Sequence, residues 1–474
     1  MSANYLHGIE TTEIERGMRQ IRQVKSAVIA ILGTAPAGPV NTPVLSLNER
    51  DAAAFGPDIE GFSLPRYLDS LYQAGAGTVV VINVLNPATH RTVVPAQDMT
   101  FAADGTLQLP KGAVLAVEVK SRDGSTTYAA TDYVLEPLTG KVVRTTASTI
   151  PASGEVSVAF TYADPSKVTA GDIIGDVDAA GLRTGIKALG DCFNLFGLEP
   201  KILIAPDFSS LSSVSAELTA ATSRHQAVAY IDAPIGATPA QVIAGRGPAG
   251  AIAFNTSSDR VRLCYPHVKV YDARTNQERL EPLSVRAAAL RAKVDLDLGY
   301  WWSSSNQELL GVLGLERPLT ARIDDPNSEV NLLNEVGVTT VFNSFGTGFR
   351  LWGNRTAAWP TVTHMRNFEN VRRTKDLIDE SIRFSSLQFQ DRPVTQALID
   401  SIVESVNGFG RKLIGDDALL GFECWYDPAR NPKADVQAGH LVFNYKLTVP
   451  PPFERGTYET EITDEYLVNL KGAN

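Results

Sequence analysis

The stretch GTGFRLWGNRTAAW (346–359) places three glycines, two arginines and two tryptophans in fourteen residues. Two readings compete for it. A glycine-rich loop that cradles phosphate needs close backbone approach and a helix opening behind it. Gly346 and Gly348 begin such a pattern, but a third glycine would fall at 351, where the chain has Leu351. The residues after Gly348 have strand period, since Phe349 and Leu351 alternate with Arg350 and Trp352. Asn354, Arg355 and Thr356 then supply the hydrogen-bonding side chains of an exit turn. The stretch reads as a strand and its turn, not as a nucleotide site.

The strand signal recurs towards the N-terminus. AVIAILG (27–33), TVVVINV (78–84), KILIAP (201–206) and AVAYID (227–232) are short apolar runs without polar alternation. Helical patterns separate some of them, at 62–75, 181–197 and 211–226. Such alternation predicts an α/β sheet covered on both faces. Residues 88–168 break the rhythm. There polar and apolar residues alternate at period two, with turns marked by Asp123-Gly124, Gly140 and Ser153-Gly154. The expected fold class is therefore mixed α/β (α+β) and multi-domain. An all-β insertion domain, 88–168, splits an α/β core of 25–87 and 169–345.

A C-terminal domain is expected over 346–452. A helix spans 364–388, and a second begins near Pro393 with Asp391 as its cap. Leu398, Ile402, Val406, Phe409 and Leu413 fall on one face of that second helix. Strand-like runs follow at 418–427 and 440–449. Pro450, Pro451 and Pro452 then remove three N–H donors and stop the compact fold. Beyond them, in 453–474, Tyr458, Thr460 and Ile462 alternate with polar residues, which is a strand without a sheet. Residues 1–24 have similar character, with Ile9, Thr11, Thr12 and Ile14 in a β-branched run. Both ends read as extended arms of differing charge. Residues 1–25 hold four basic and three acidic side chains, whereas 453–474 hold two basic and five acidic.

The formal net charge of −10 argues against nucleic acid or an anionic membrane as a whole-surface partner. Apolar runs are too short to span a bilayer. The opening residues carry Glu10, Glu13 and Glu15 in place of a signal peptide's apolar core. Three scattered cysteines give no disulfide framework, so folding in a reducing interior is expected. Six scattered histidines form no metal spacing, and neither a P-loop nor a nucleophile elbow occurs. GRGPAG (245–250) follows a helix-like segment and reads as a turn. Asp295/Asp297, Asp324-Asp325 and Asp416-Asp417 read as caps or solvated acids. No catalytic residue, metal site or cofactor is expected. The basic cluster Arg366, Arg372, Arg373 and Lys375 on helix 364–388 keeps two readings. It is a solvated face paired with Glu369, Asp376 and Asp379, or a docking face for an acidic partner.

At GFRLWGNRT (348–356) the chain resembles a known family. Gly348, Trp352, Gly353, Arg355 and Thr356 match the glycine–x–x–x–tryptophan–glycine–x–arginine–threonine signature of contractile tail sheath proteins of phages and R-type bacteriocins. Residues 5–46 resemble that family's N-terminal arm and first strand. SSSNQELLGVLGL (303–315) and VNLLNEVGVTTVFN (330–343) resemble the segments before the signature, and 431–454 its closing strand and proline-rich exit. The likeness covers most of the chain outside 88–168.

The resemblance implies a structural protein and not an enzyme. Its subunits would form hexameric rings stacked helically around a tail tube protein, between baseplate and tail terminator proteins. Assembly would take place in the host cytoplasm and end in the virion tail. The arms would add strands to neighbouring subunits. An extended, metastable sheath would contract and drive the tube through a cell envelope. The family presents a C-terminal-domain helix to the tube, which assigns Arg366, Arg372, Arg373 and Lys375 to acidic tube residues. Other readings are a baseplate or adhesin protein, and an α/β enzyme with a β substrate-binding module. The second of these lacks a constellation of titratable groups.

Overall fold

The computed structural model describes residues 21–248, 250–343, 346 and 348–466. Ile9, Thr11, Thr12 and Ile14 of the N-terminal arm lie outside the described residues. The first elements are β1 (Val28–Gly33), β2 (Val44–Ser46), α1 (Leu64–Gln73) and β3 (Thr78–Asn83). Six strands follow: β4 (Arg91–Thr100), β5 (Thr106–Gln108), β6 (Val114–Ser121), β7 (Tyr133–Glu136), β8 (Lys141–Arg144) and β9 (Glu155–Ala163). Alternation then resumes with β10 (Ile202–Ile204), α2 (Ser212–His225), β11 (Val228–Asp232) and β12 (Val261–Cys264). Next come β13 (Val268–Asp272), β14 (Gln277–Glu281), α3 (Leu283–Asp297), β15 (Val312–Leu315), β16 (Val338–Phe342) and β17 (Arg350–Trp352). A last unit holds α4 (Glu369–Ser385), α5 (Gln396–Gly415), β18 (Gly421–Tyr426) and β19 (Phe443–Thr448).

Eight strands make one sheet in the order β17-β16-β12-β11-β10-β1-β3-β2. The six inner strands run parallel, and β2 and β17 close the edges antiparallel. Strands covered on both faces have no polar side, which is why these runs show no alternation. Ile29, Ile31, Val79, Val81, Ile202 and Ile204 face the layer containing α1 and α3. Val28, Ala30, Leu32, Val80, Ile82 and Leu203 face the opposite layer, with Val214 and Leu218 of α2. In α1, Leu64, Tyr67, Leu68 and Leu71 are buried at helical spacing, and a proline stands in its first turn.

Residues 91–163 build two three-stranded antiparallel sheets, β4-β9-β6 and β5-β8-β7. They enclose their own core, including Phe101, Val119, Val142, Val156 and Phe160. Gly140 turns at φ +70°, where a Cβ would lie 2.2 Å from the Lys111 carbonyl oxygen, so no side chain fits. The two ends of the unit are tied together, since the Asp164 N–H donates to the His90 carbonyl at 3.0 Å.

The C-terminal unit packs Val371 and Ile378 of α4 with Val406, Phe409 and Leu413 of α5 and Cys424 of β18. Here several sequence expectations shift. The helix expected at 181–197 is a 3₁₀ turn, Gly185–Asp191, with a single α turn behind it, Cys192–Phe196. Gly185 stands at φ +52°, where a Cβ would meet the Ile173 carbonyl oxygen at 2.4 Å; packing overrides the local pattern. The cap of α5 is Thr395, whose hydroxyl accepts from the Leu398 N–H at 3.2 Å, while Asp391 sits at φ +60° outside the helix. Ile399 takes the buried place on α5 that Leu398 and Ile402 were expected to share. The boundary at 346 also moves. β17 pairs with β16 through Val341↔Leu351, so the first strand assigned to the C-terminal domain belongs to the large sheet.

Candidate functional site

The turn after β17 is where the α/β body meets the C-terminal unit. Trp352 stacks on Phe342 with ring centroids 4.5 Å apart. Gly353 takes φ +121°, and a Cβ there would sit 3.1 Å from Asn334 Oδ1 and 3.2 Å from Thr339 Cα. Its N–H donates to Ser305 Oγ at 3.0 Å and its carbonyl accepts from Arg262. Gly348, at φ +82°, lies beside the Glu308 carboxylate. The Thr356 N–H and hydroxyl both donate to the Asn367 carbonyl, at 2.7 and 2.9 Å. The Asn354 carbonyl accepts from the Glu369 N–H at 3.0 Å. The signature thus splices a strand end onto the first turn of α4. Arg355 lies against Trp359 and Phe368 and pairs with Glu454, near the root of the C-terminal arm.

The structure turns the charged side of α4 inward. Arg373, 3% exposed, donates to Asp295 of α3 through Nη1 at 2.8 Å and Nη2 at 2.7 Å. Arg291 donates to the same carboxylate through Nε at 2.9 Å. Glu369 accepts from Arg262 Nη1 at 2.6 Å and from the Tyr230 hydroxyl. Asp376 accepts from Arg260 and Arg372, and Glu380 pairs with Lys201. Burial alone would raise the Glu369 carboxyl, but Arg262, Arg291 and Arg373 outweigh it and hold it below its ordinary value. For Asp295, burial is likewise overcome by Arg373 and Arg291. At Glu380 burial prevails over Lys201 and the carboxyl is pushed up.

These contacts take Arg373 and Arg372 out of the basic cluster read as a docking face. Arg373 has no surface to offer, and Arg372 is committed to Asp376 and Asp259. Arg366 is exposed, and the Lys375 side chain keeps 44% of its surface while paired with Asp379. Asp295, read as a solvated or capping acid, is buried. The signal for this network was present as spacing: Glu369, Arg373, Asp376 and Glu380 recur at four, three and four residues, one helix face. Arg262 inside the apolar strand VRLC (261–264) was its second trace. Arg246, in the GRGPAG stretch, also has a structural task. It donates to the carbonyls of Val336, Phe254, Thr256, Ala357 and Trp359.

The hairpin β18–β19 seats Phe422, Tyr445 and Leu447 on the C-terminal core. Gly410 of α5 permits this, because a Cβ there would meet the Phe422 ring at 2.1 Å. Trp425 and the Glu423–Lys446 pair lie on the outer surface. Among the described residues, neither β18 nor β19 pairs with a third strand. After buried Val449, residues 450–463 form no helix or strand of their own. Tyr458, Thr460 and Ile462 are all exposed, Tyr458 at 90%. Among the described residues there is no metal-holding cluster and no helix long and apolar enough to cross a membrane.

A family model described as the phage tail sheath protein central domain matches residues 167–357, and one for the phage tail sheath C-terminal domain matches 361–463. The chain is 64% identical over 477 residues to the tail sheath protein of Burkholderia phage BcepMu, with 100% of both covered. It is 31% identical to the tail sheath protein of Escherichia phage P2, over 64% of this chain and 73% of that one. In fold it is similar to the helical sheath of the anti-feeding prophage in its contracted state, at TM-score 0.60 and 15% identity, over 98% of this chain and 100% of that chain. The chain belongs to the phage tail sheath family.

Proposed function

We propose that this structural subunit of a contractile tail sheath polymerises by lending its arms as strands to neighbouring copies. The observation that carries the reading is the pairing of an open two-stranded hairpin with an exposed arm of strand period on the same chain. Main-chain hydrogen bonds formed by an added strand hold subunits together with little dependence on side chains. Such a contact is heterologous, so it propagates as a helix instead of closing as a dimer. Hexameric rings stack helically around a tail tube protein, bounded by baseplate and tail terminator proteins, after assembly in the host cytoplasm. Contraction releases a metastable extended state, and each subunit moves as a body while the arms keep the mesh connected. The ionic face of α4 supports that rigidity, since it joins the C-terminal unit to the α/β body. The tube contact narrows to Arg366 and Lys375, the two cluster members with surface to spare.

Truncation tests the reading. Chains lacking 1–20 or 455–474 are expected to remain folded monomers and to form no striated cylinders by negative-stain microscopy. Full-length cylinders from either truncation would show that the arms are not the connectors.

A further inference from the structure

Arg355 is held more tightly than a turn residue requires. Its guanidinium carbon lies 4.2 Å from the ring centre of Trp359 and 3.9 Å from that of Phe368. Two aromatic faces fix the guanidinium plane. Nη1 donates inward to Asn367 Oδ1 at 2.7 Å. Nε and Nη2 are left for Glu454, with Nε at 3.0 Å from Oε1 and Nη2 on Oε2. This is a two-point contact that a lysine cannot reproduce.

The position of Glu454 gives the contact its meaning. It stands two residues beyond Pro452, where the stiff proline run ends. Among the described residues it is the last one hydrogen-bonded to the body of the chain, and beyond it residues 455–462 are all exposed. Arg355 itself is anchored to the large sheet through β17 and to the turn just before α4 through the Thr356–Asn367 bonds.

We propose that Arg355 is a positioning residue that clamps the root of the C-terminal arm through Glu454 and aims the arm as it leaves the subunit. The inference rests on the arm being a strand donor. A tethered segment meets its partner at an effective concentration set by the volume it explores. Pinning the arm at 454 instead of 449 fixes both ends of the proline run and the departure direction of the residues beyond it. The clamp therefore speeds strand addition without contributing a contact to the neighbour.

The test uses the full chain with spin labels at Asp400→Cys and Thr460→Cys; the native cysteines are buried. Glu454→Gln removes the charge and leaves the aromatic sandwich untouched, so its melting temperature is expected to match the parent. Its label-to-label distance distribution is expected to broaden in the monomer, and sheath growth to slow by roughly fivefold or more. Arg355→Lys is expected to do the same. A distribution as narrow as the parent's in Glu454→Gln, or growth at the parent rate, overturns the clamp. Truncation of 455–474 is run alongside. A truncated chain that still polymerises defeats the strand-donor reading itself. One that fails, while Glu454→Gln grows normally, defeats the clamp alone.

Discussion

Glu369, Arg373, Asp376 and Glu380 of α4 are all buried, whereas Glu454, Arg455, Glu459 and Glu461 of the C-terminal arm are all exposed. Each of the two sets holds one basic and three acidic side chains. On α4 every one of those side chains meets an opposite charge from the α/β body: Arg262, Asp295, Arg260 and Lys201. In the arm, among the described residues, Glu454 alone of those four has such a partner. The difference separates a segment fixed to the body by buried ion pairs from one left to solvent. Buried pairs register the C-terminal unit against the sheet, because leaving one partner unpaired in a low dielectric is costly. On the proposed reading, the exposed strand-period arm offers its backbone groups to another chain.

The largest expected effect falls on the buried side of this contrast. Arg373→Ala leaves Asp295 with Arg291 as its remaining charged partner among the described residues and is expected to destabilise the monomer by about 3–5 kcal/mol. Equilibrium urea unfolding measures it. A loss near zero would mean that the α4 charges are dispensable and that the contrast with the arm is false.

Acid should act on the same face. Asp295 and Glu369 are held below their ordinary values in the folded chain. Their stabilisation is present above the unfolded carboxylate range near ~4 and is lost as pH falls through the depressed folded values. Glu380, pushed up by burial, has the opposite sign: its contribution is lost as pH rises through its raised value. Unfolding midpoints from pH 6 downward are expected to drop, and to drop less steeply in Asp295→Asn. Equal slopes would place the acid sensitivity elsewhere.

The smallest effect is expected at the arm. Removing 455–474 should change monomer stability by less than about 0.5 kcal/mol, as for surface changes that touch no packed feature. A loss comparable to that of Arg373→Ala would show that the arm packs on its own body and is no free donor.

Much of the fold is legible along the chain. Unbroken apolar runs such as AVIAILG require a strand covered on both sides, and glycine turns with period-two alternation mark the inserted β unit. Leu351 in place of a glycine, within a run of strand period, is enough to remove the nucleotide reading. The proline run at 450–452 places the end of the compact fold. These are local properties, set by backbone sterics and by which residues can face water.

Only the tertiary structure decided where the charges go. A helix bearing Arg372, Arg373 and Lys375 looks the same in sequence whether it faces solvent or another unit. The sign of its contribution depends on Asp295, which is 78 residues away. The turn at Gly185 and the seating of β17 in the large sheet have the same origin, contacts between distant segments. So does the link from Arg355 to Glu454, 99 residues apart. Each is a long-range pairing whose energy exists only once the chain has closed on itself, and no local pattern encodes it.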